Sequence, residues 1–128
     1  LQKIRETIGT VTEEPAVFFR IPGGEYNNEV LRTIYACGSY PVAWSVDSMD
    51  WKEYEAGELV RQLLQSCTIR DGEILRFHGE GENTGEMVKL LHPRLKEEGY
   101  EAVTVSQMVY KDRYRMTTDG RQIPEKSK

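Results

Sequence analysis

The spacing of apolar positions changes period several times along the chain, and each change marks an element. Leu1, Ile4 and Ile8 lie on one helical face, with Gly9 as a stop, so the chain opens near the end of a helix. Thr10 to Pro15 reads as a polar loop. Ala16-Val17-Phe18-Phe19 is a short continuous apolar run, the pattern of a buried strand, and Arg20-Ile21-Pro22-Gly23-Gly24 breaks it. Asn27 or Asn28 can cap a second helix carrying Val30, Leu31, Ile34 and Tyr35, which Gly38 ends. Pro41 to Val46 predicts a second strand. Leu59, Val60, Leu63, Leu64 and Cys67 mark a third helix, and Glu73 to Phe77 a third strand after the Asp71-Gly72 turn. Asn83 or Thr84 can cap a fourth helix with Met87, Leu90, Leu91 and Leu95 inward; Pro93 predicts a kink or an early break. Ala102 to Val105 predicts a fourth strand and Gln107 to Tyr110 a helical turn. From Lys111 onward the chain is polar, an ordered arm or a frayed tail.

The order is α-β-α-β-α-β-α-β. Alternating strands and helices predict an α/β fold with about four parallel strands, joined by right-handed crossovers and flanked by helices. Residues 1–110 form the expected domain and 111–128 the tail. No internal repeat or low-complexity segment interrupts this order.

Composition narrows the function classes. Of 128 residues, 38% are hydrophobic and 30% charged, the balance of an ordinary globular domain. A net charge of −4, with basic residues dispersed, gives no electrostatic reason to expect nucleic acid as a partner. No apolar run approaches the roughly 18 residues of a membrane span. The opening residues have no signal-peptide core and no starting Met, so the chain reads like a piece that opens mid-helix and its compartment stays unassigned. Cys37 and Cys67 are expected to be small, buried, reduced residues.

In parallel α/β folds, ligands bind beyond the carboxyl ends of the strands. The first predicted strand is followed by Arg20 and Pro22-Gly23-Gly24. The second is followed by Asp47-Ser48-Met49-Asp50-Trp51, and the third by His78-Gly79-Glu80-Gly81-Glu82. Arg20, Asp50 and His78 are therefore expected on one rim. A carboxylate beside an imidazole orients the ring and favours its protonated form, which suits a general acid. An arginine there can fix another carboxylate or an oxyanion. The Gly23-Gly24 backbone can approach a substrate and present N–H groups, and Trp51 can pack under the site or against a sugar face. Each residue also has a structural reading. His78 can be a hydrogen-bonded scaffold residue, Arg20 a surface ion-pair partner, Asp47 the cap of a turn and Trp51 a core aromatic. His92 lies mid-helix, away from the rim, and neither cysteine is on it. A full transition-metal site from this chain alone is not expected.

These residues carry a resemblance. Phe19 to Asn27 resembles the Arg-Pro-Pro-Tyr-Gly motif of the polysaccharide deacetylases, the NodB-homology carbohydrate esterases. Trp44 to Trp51 matches their Asp-x-x-Asp-Trp motif, and Gly72 to His78 resembles their strand ending in Leu-x-His. Glu97 to Tyr100, and Tyr110 through Arg121, resemble cell-wall and sporulation deacetylases of Gram-positive bacteria.

The resemblance implies part of a distorted (β/α) barrel and metal-dependent removal of acetyl groups from N-acetylated sugars of peptidoglycan or chitin-like polymers. It implies that Arg20 holds the catalytic-base aspartate, that Asp50 tunes His78, and that His78 is the general acid. Gly23 would offer its N–H to the oxyanion, with Pro22, Trp51, Asp47 and Arg76 lining the substrate side. It implies a cell-envelope or extracellular location.

The departures shape the expectation as much as the matches. The family's Thr-Phe-Asp-Asp and His-x-x-x-His motifs, which supply the base and the ligands of a divalent, zinc-like metal, are not in this sequence. Gly23 replaces the motif tyrosine. Arg76 replaces a leucine that lines the acetyl pocket. The expected protein is the C-terminal half of such a deacetylase, with self-association or the N-terminal half covering the open sheet edge. The alternative is a catalytically inactive remnant that serves as a glycan-binding or assembly module.

Overall fold

The computed structural model describes residues 1–79 and 81–125. The chain is α/β and divides into two compact units. The first comprises residues 1–47 and 73–76, the second residues 48–72 and 77–128.

In the first unit, helix α1 spans Gln2–Thr12 and runs past Gly9, which ends nothing; the helix stops where Glu13 adopts a left-handed conformation. The Arg5 side chain ties α1 down. Its Nε donates to the Ala16 carbonyl at 3.0 Å and its Nη1 donates to the Cys37 carbonyl. Strand β1 is Phe18–Phe19, and a tight turn follows at Pro22–Gly24. Helix α2, Asn28–Ala36, is capped by Asn27, whose Oδ1 accepts the Val30 N–H at 2.9 Å. Ile34 is the buried residue of α2.

The predicted second strand is two short ones, β2 at Tyr40–Pro41 and β3 at Val46–Asp47. The reason is a change of partner. At its start the segment pairs in parallel with β1, where the Tyr40 and Val42 N–H groups donate to Val17 and Phe19 at 2.8 and 2.9 Å. At its end it pairs in parallel with β4, Leu75–Arg76, through bonds from Ser45 and Val46 to the Ile74 carbonyl. Four short strands thus make two parallel pairs instead of one continuous sheet.

In the second unit, α3 at Ala56–Ser66 packs on α4 at Thr84–Glu97. Ala56, Leu59, Val60 and Leu63 meet Met87 and Leu91 as the buried apolar residues of these helices. Fully burying a leucine contributes about 1.5–3 kcal/mol, so this seam dominates the unit's stability. Of the kink or early break expected at Pro93, the break does not occur, and α4 continues to Glu97. Proline frees one carbonyl a turn earlier, at Lys89, and there the helix is exposed, so water can satisfy it. The Tyr100 hydroxyl donates to the Ile69 carbonyl at 2.7 Å, joining the segments that follow the two helices.

The predicted fourth strand is absent among the described residues. Thr104 instead opens helix α5, Val105–Met108, through a capping box in which the Gln107 side chain accepts the Thr104 N–H at 3.0 Å. The tail is an ordered arm: β5, Tyr114–Met116, and β6, Gln122–Pro124, form an antiparallel hairpin. The Gln122 side chain brackets the backbone of Tyr110, accepting its N–H and donating to its carbonyl at 2.9 and 2.8 Å. Residues 126–128, the end of the expected tail, lie outside the described residues. No described helix is long and apolar enough to cross a membrane. Cys37 and Cys67 are free thiols, each partly buried rather than fully so.

Candidate functional site

The sequence-predicted residues fall into two clusters, one in each unit. Asp50, Trp51 and His78 are in the second. Asp50 is 1% exposed, and its carboxylate is enclosed by donors. Oδ1 accepts from the Ser48 hydroxyl at 3.0 Å and faces Nδ1 of His78 at 2.7 Å. The His78 backbone N–H is shared between both carboxylate oxygens at 3.0 Å. Oδ2 also accepts from the Gly79 N–H at 3.3 Å and from the Thr84 hydroxyl. Burial by itself would raise the pKa of Asp50. The bonds from the Thr84 hydroxyl, the His78 ring and the His78 and Gly79 N–H groups outweigh it and hold the carboxyl well below the usual carboxylate range.

An ionised carboxylate only accepts, so Nδ1 of His78 is the donor in this pair. Proton exchange is therefore left to Nε2, on a ring whose side chain is 23% exposed. The Trp51 indole stands edge-on to that ring, with centroids 6.5 Å apart, and is itself exposed.

The local sequence explains the rigidity. Ser48 bonds to Asp50 twice, through its hydroxyl and through the Asp50 N–H, which donates to Ser48 Oγ at 3.3 Å. Gly81 permits the loop after His78 to close over this turn. A Cβ at that position would lie 2.6 Å from the Asp50 carbonyl oxygen. Glu80, in the same loop, lies outside the described residues. Thr84 and Ser48 were not read from the sequence as site residues. Ser48 carried a local signal, a hydroxyl two residues before an aspartate, whereas Thr84 looked only like a helix cap.

The first unit holds Arg20, Asp47 and Arg76 around Trp44. The Arg76 guanidinium lies 4.0 Å from the centre of the Trp44 ring and reaches Asp47 at 3.4 Å. Arg20, exposed, lies 5.9 Å from the same ring. Gly24, with φ +77°, allows the turn to pass Trp44, whose ring edge would sit 2.8 Å from a Cβ there. Pro22 and Gly23 are exposed beside it, and Gly23 also has positive φ. His92 is exposed on α4.

Among the described residues, no three His, Cys, Asp or Glu side chains converge in a way that would hold a metal ion. His78 has committed Nδ1 to Asp50. The described residues therefore do not make up a metal centre.

Fold and site define an α/β protein on short parallel strand pairs, with a buried carboxylate locked to an imidazole beyond a strand end. The chain is similar to several known proteins. A peptidoglycan-N-acetylglucosamine deacetylase of Bacillus cereus is 32% identical over 102 residues, covering 76% of this chain and 46% of that protein. A chitooligosaccharide deacetylase of Azorhizobium caulinodans is 33% identical over 60 residues, covering 47% of this chain and 28% of that protein. Among solved structures, a CE4 family pseudoenzyme from Bacillus anthracis superimposes with a TM-score of 0.76 at 27% identity, over 84% of this chain and 37% of that one. No family model matches the chain. The chain belongs to the polysaccharide deacetylase family, the NodB-type carbohydrate esterases. It spans less than half the length of the Bacillus cereus relative.

Proposed function

We propose that this chain supplies the proton-donating part of a polysaccharide N-deacetylase acting on N-acetylated sugars of a cell-wall glycan, peptidoglycan or chitin-like. The observation that supports it is the buried, ionised Asp50 bonded to Nδ1 of His78. Hydrolysis of an N-acetyl amide expels an amine, a poor leaving group unless it is protonated as the bond breaks. Asp50 fixes the ring so that Nε2 of His78 delivers that proton, and Trp51 walls the imidazole. Arg20 holds the base aspartate, which this chain does not contain. The Gly23 N–H contributes to oxyanion binding, with Pro22, Asp47 and Arg76 on the substrate side.

On the same reading, the short parallel strands are part of a distorted (β/α) barrel, with residues 1–110 in the deacetylase domain and 111–128 its tail. Self-association or an N-terminal half covers the open strand edge. A divalent, zinc-like metal belongs to the complete family site, on ligands outside this chain.

The test is acetate release from N-acetylglucosamine oligomers by the protein in its complete reading frame, with zinc supplied. The expected result is turnover that falls at least about 100-fold in His78→Gln. Glycan binding without any turnover would instead assign the chain to an inactive, glycan-binding remnant.

A further inference from the structure

The loop after Asp50 carries a feature that proton donation does not require. Trp51 and Tyr54 are 57% and 54% exposed, large aromatic surfaces left in water three residues apart. Isolated exposed aromatics are common, but these sit on a backbone held by several hydrogen bonds. The Lys52 N–H donates to the Met49 carbonyl at 3.0 Å, and the Tyr54 N–H donates to the Lys52 carbonyl at 2.9 Å. Asn83, at the start of α4, donates its side-chain amide to the carbonyls of both Lys52 and Tyr54, at 3.3 and 2.9 Å. With its backbone held in this way, the segment loses little main-chain freedom when a ligand covers it. One of them, Trp51, is already against the His78 imidazole.

Two exposed rings, each with an apolar face and polar groups beside it, suit the C–H faces and hydroxyl edges of pyranose rings. Lys52, Glu53 and Glu55 are the charged residues of this segment, and the Lys52 ammonium lies 5.9 Å from the Trp51 ring. Three residues of chain span at most about 10 Å, so a single oligosaccharide can cover both rings.

We infer that Tyr54, held by Asn83, is a glycan-stacking residue that binds a pyranose unit away from the one at His78. It makes recognition depend on oligomer length. This rests on the deacetylase reading for the identity of the ligand. Tyr54 touches no reacting atom; its effect is on binding of longer chains.

The test is calorimetric titration of the full protein with N-acetylglucosamine dimer and hexamer, for the unaltered chain, Tyr54→Ala and Tyr54→Phe. Tyr54→Ala is expected to weaken hexamer binding about 3- to 10-fold, the range of an aromatic stacking contact, and to leave dimer binding unchanged. Tyr54→Phe is expected to bind both like the unaltered protein, because the ring face, not the hydroxyl, makes the contact. Because Tyr54 is exposed, the melting temperature of both variants should match the parent. Equal hexamer affinity in Tyr54→Ala and the parent overturns the stacking role alone. Equal weakening of dimer and hexamer assigns Tyr54 to the site at His78 and overturns the separate subsite. Failure of the unaltered protein to bind either oligomer overturns the inference together with the glycan reading beneath it.

Discussion

Nδ1 of His78 lies 2.7 Å from Oδ1 of Asp50, and the aspartate is 1% exposed. The pair is thus a scaffold for the segments around it. One carboxylate gathers donors from the Ser48 turn, the His78–Gly79 backbone and the first turn of α4. Asp50→Ala strands these donors in a buried place. It should destabilise the protein by about 3 kcal/mol, read as a shift in the urea midpoint. A midpoint unchanged within error would mean that the donors have other partners.

The acid dependence of stability follows from the same aspartate. Its folded pKa is depressed below its ordinary value of 3.8, so its contribution is fully present above that value and is lost as pH falls through the folded pKa. Denaturant melts at descending pH should show the parent losing stability below about pH 4, while Asp50→Asn changes less, so that the two converge in acid. A constant difference between them at every pH would contradict this. Glu58 and Asp119 are also held below their ordinary values, but by exposed local bonds, so they add little.

Gly81 should tolerate no side chain. Alanine there would push its Cβ against the Asp50 carbonyl, backbone that cannot swing aside. Gly81→Ala should cost about 1–3 kcal/mol and lower the melting temperature, whereas Gly57→Ala, where a Cβ meets nothing within 4 Å, should not. Equal melting temperatures for Gly81→Ala and the parent would show that the loop yields.

Much of this was legible in the sequence, for identifiable reasons. Asn27, the apolar positions of α3 and α4, and the pairing of Asp50 with His78 follow from capping, periodicity and strand-end placement. Most of what escaped depended on partners distant in sequence. The run from Pro41 to Val46 looks like one strand because nothing local says that its start bonds to β1 and its end to β4. Ala102 to Val105 has strand-like residues, yet Thr104 and Gln107 stand at capping-box spacing, and that local signal prevailed. Thr84 reached the site only because α4 begins beside Asp50.

Arg76 offers a sharper test of the proposed substrate side. Its guanidinium is held by Trp44 and by a partly exposed contact with Asp47, interactions that together contribute about 1 kcal/mol. Arg76→Leu, which restores the apolar residue the family motif carries, should change stability by no more than about 1 kcal/mol and raise turnover of N-acetylated oligomers. Reduced turnover with intact stability would assign Arg76 to substrate binding in its charged form.

The central claim is that Nε2 of His78 protonates a departing amine. It is tested most directly by comparing a poor and a good leaving group in the complete protein. His78→Gln should lower hydrolysis of an N-acetylglucosamine oligomer at least about 100-fold and that of 4-nitrophenyl acetate, whose leaving group needs no proton, less than about 10-fold. Equal losses on both substrates, or no loss on the amide, would contradict the assignment.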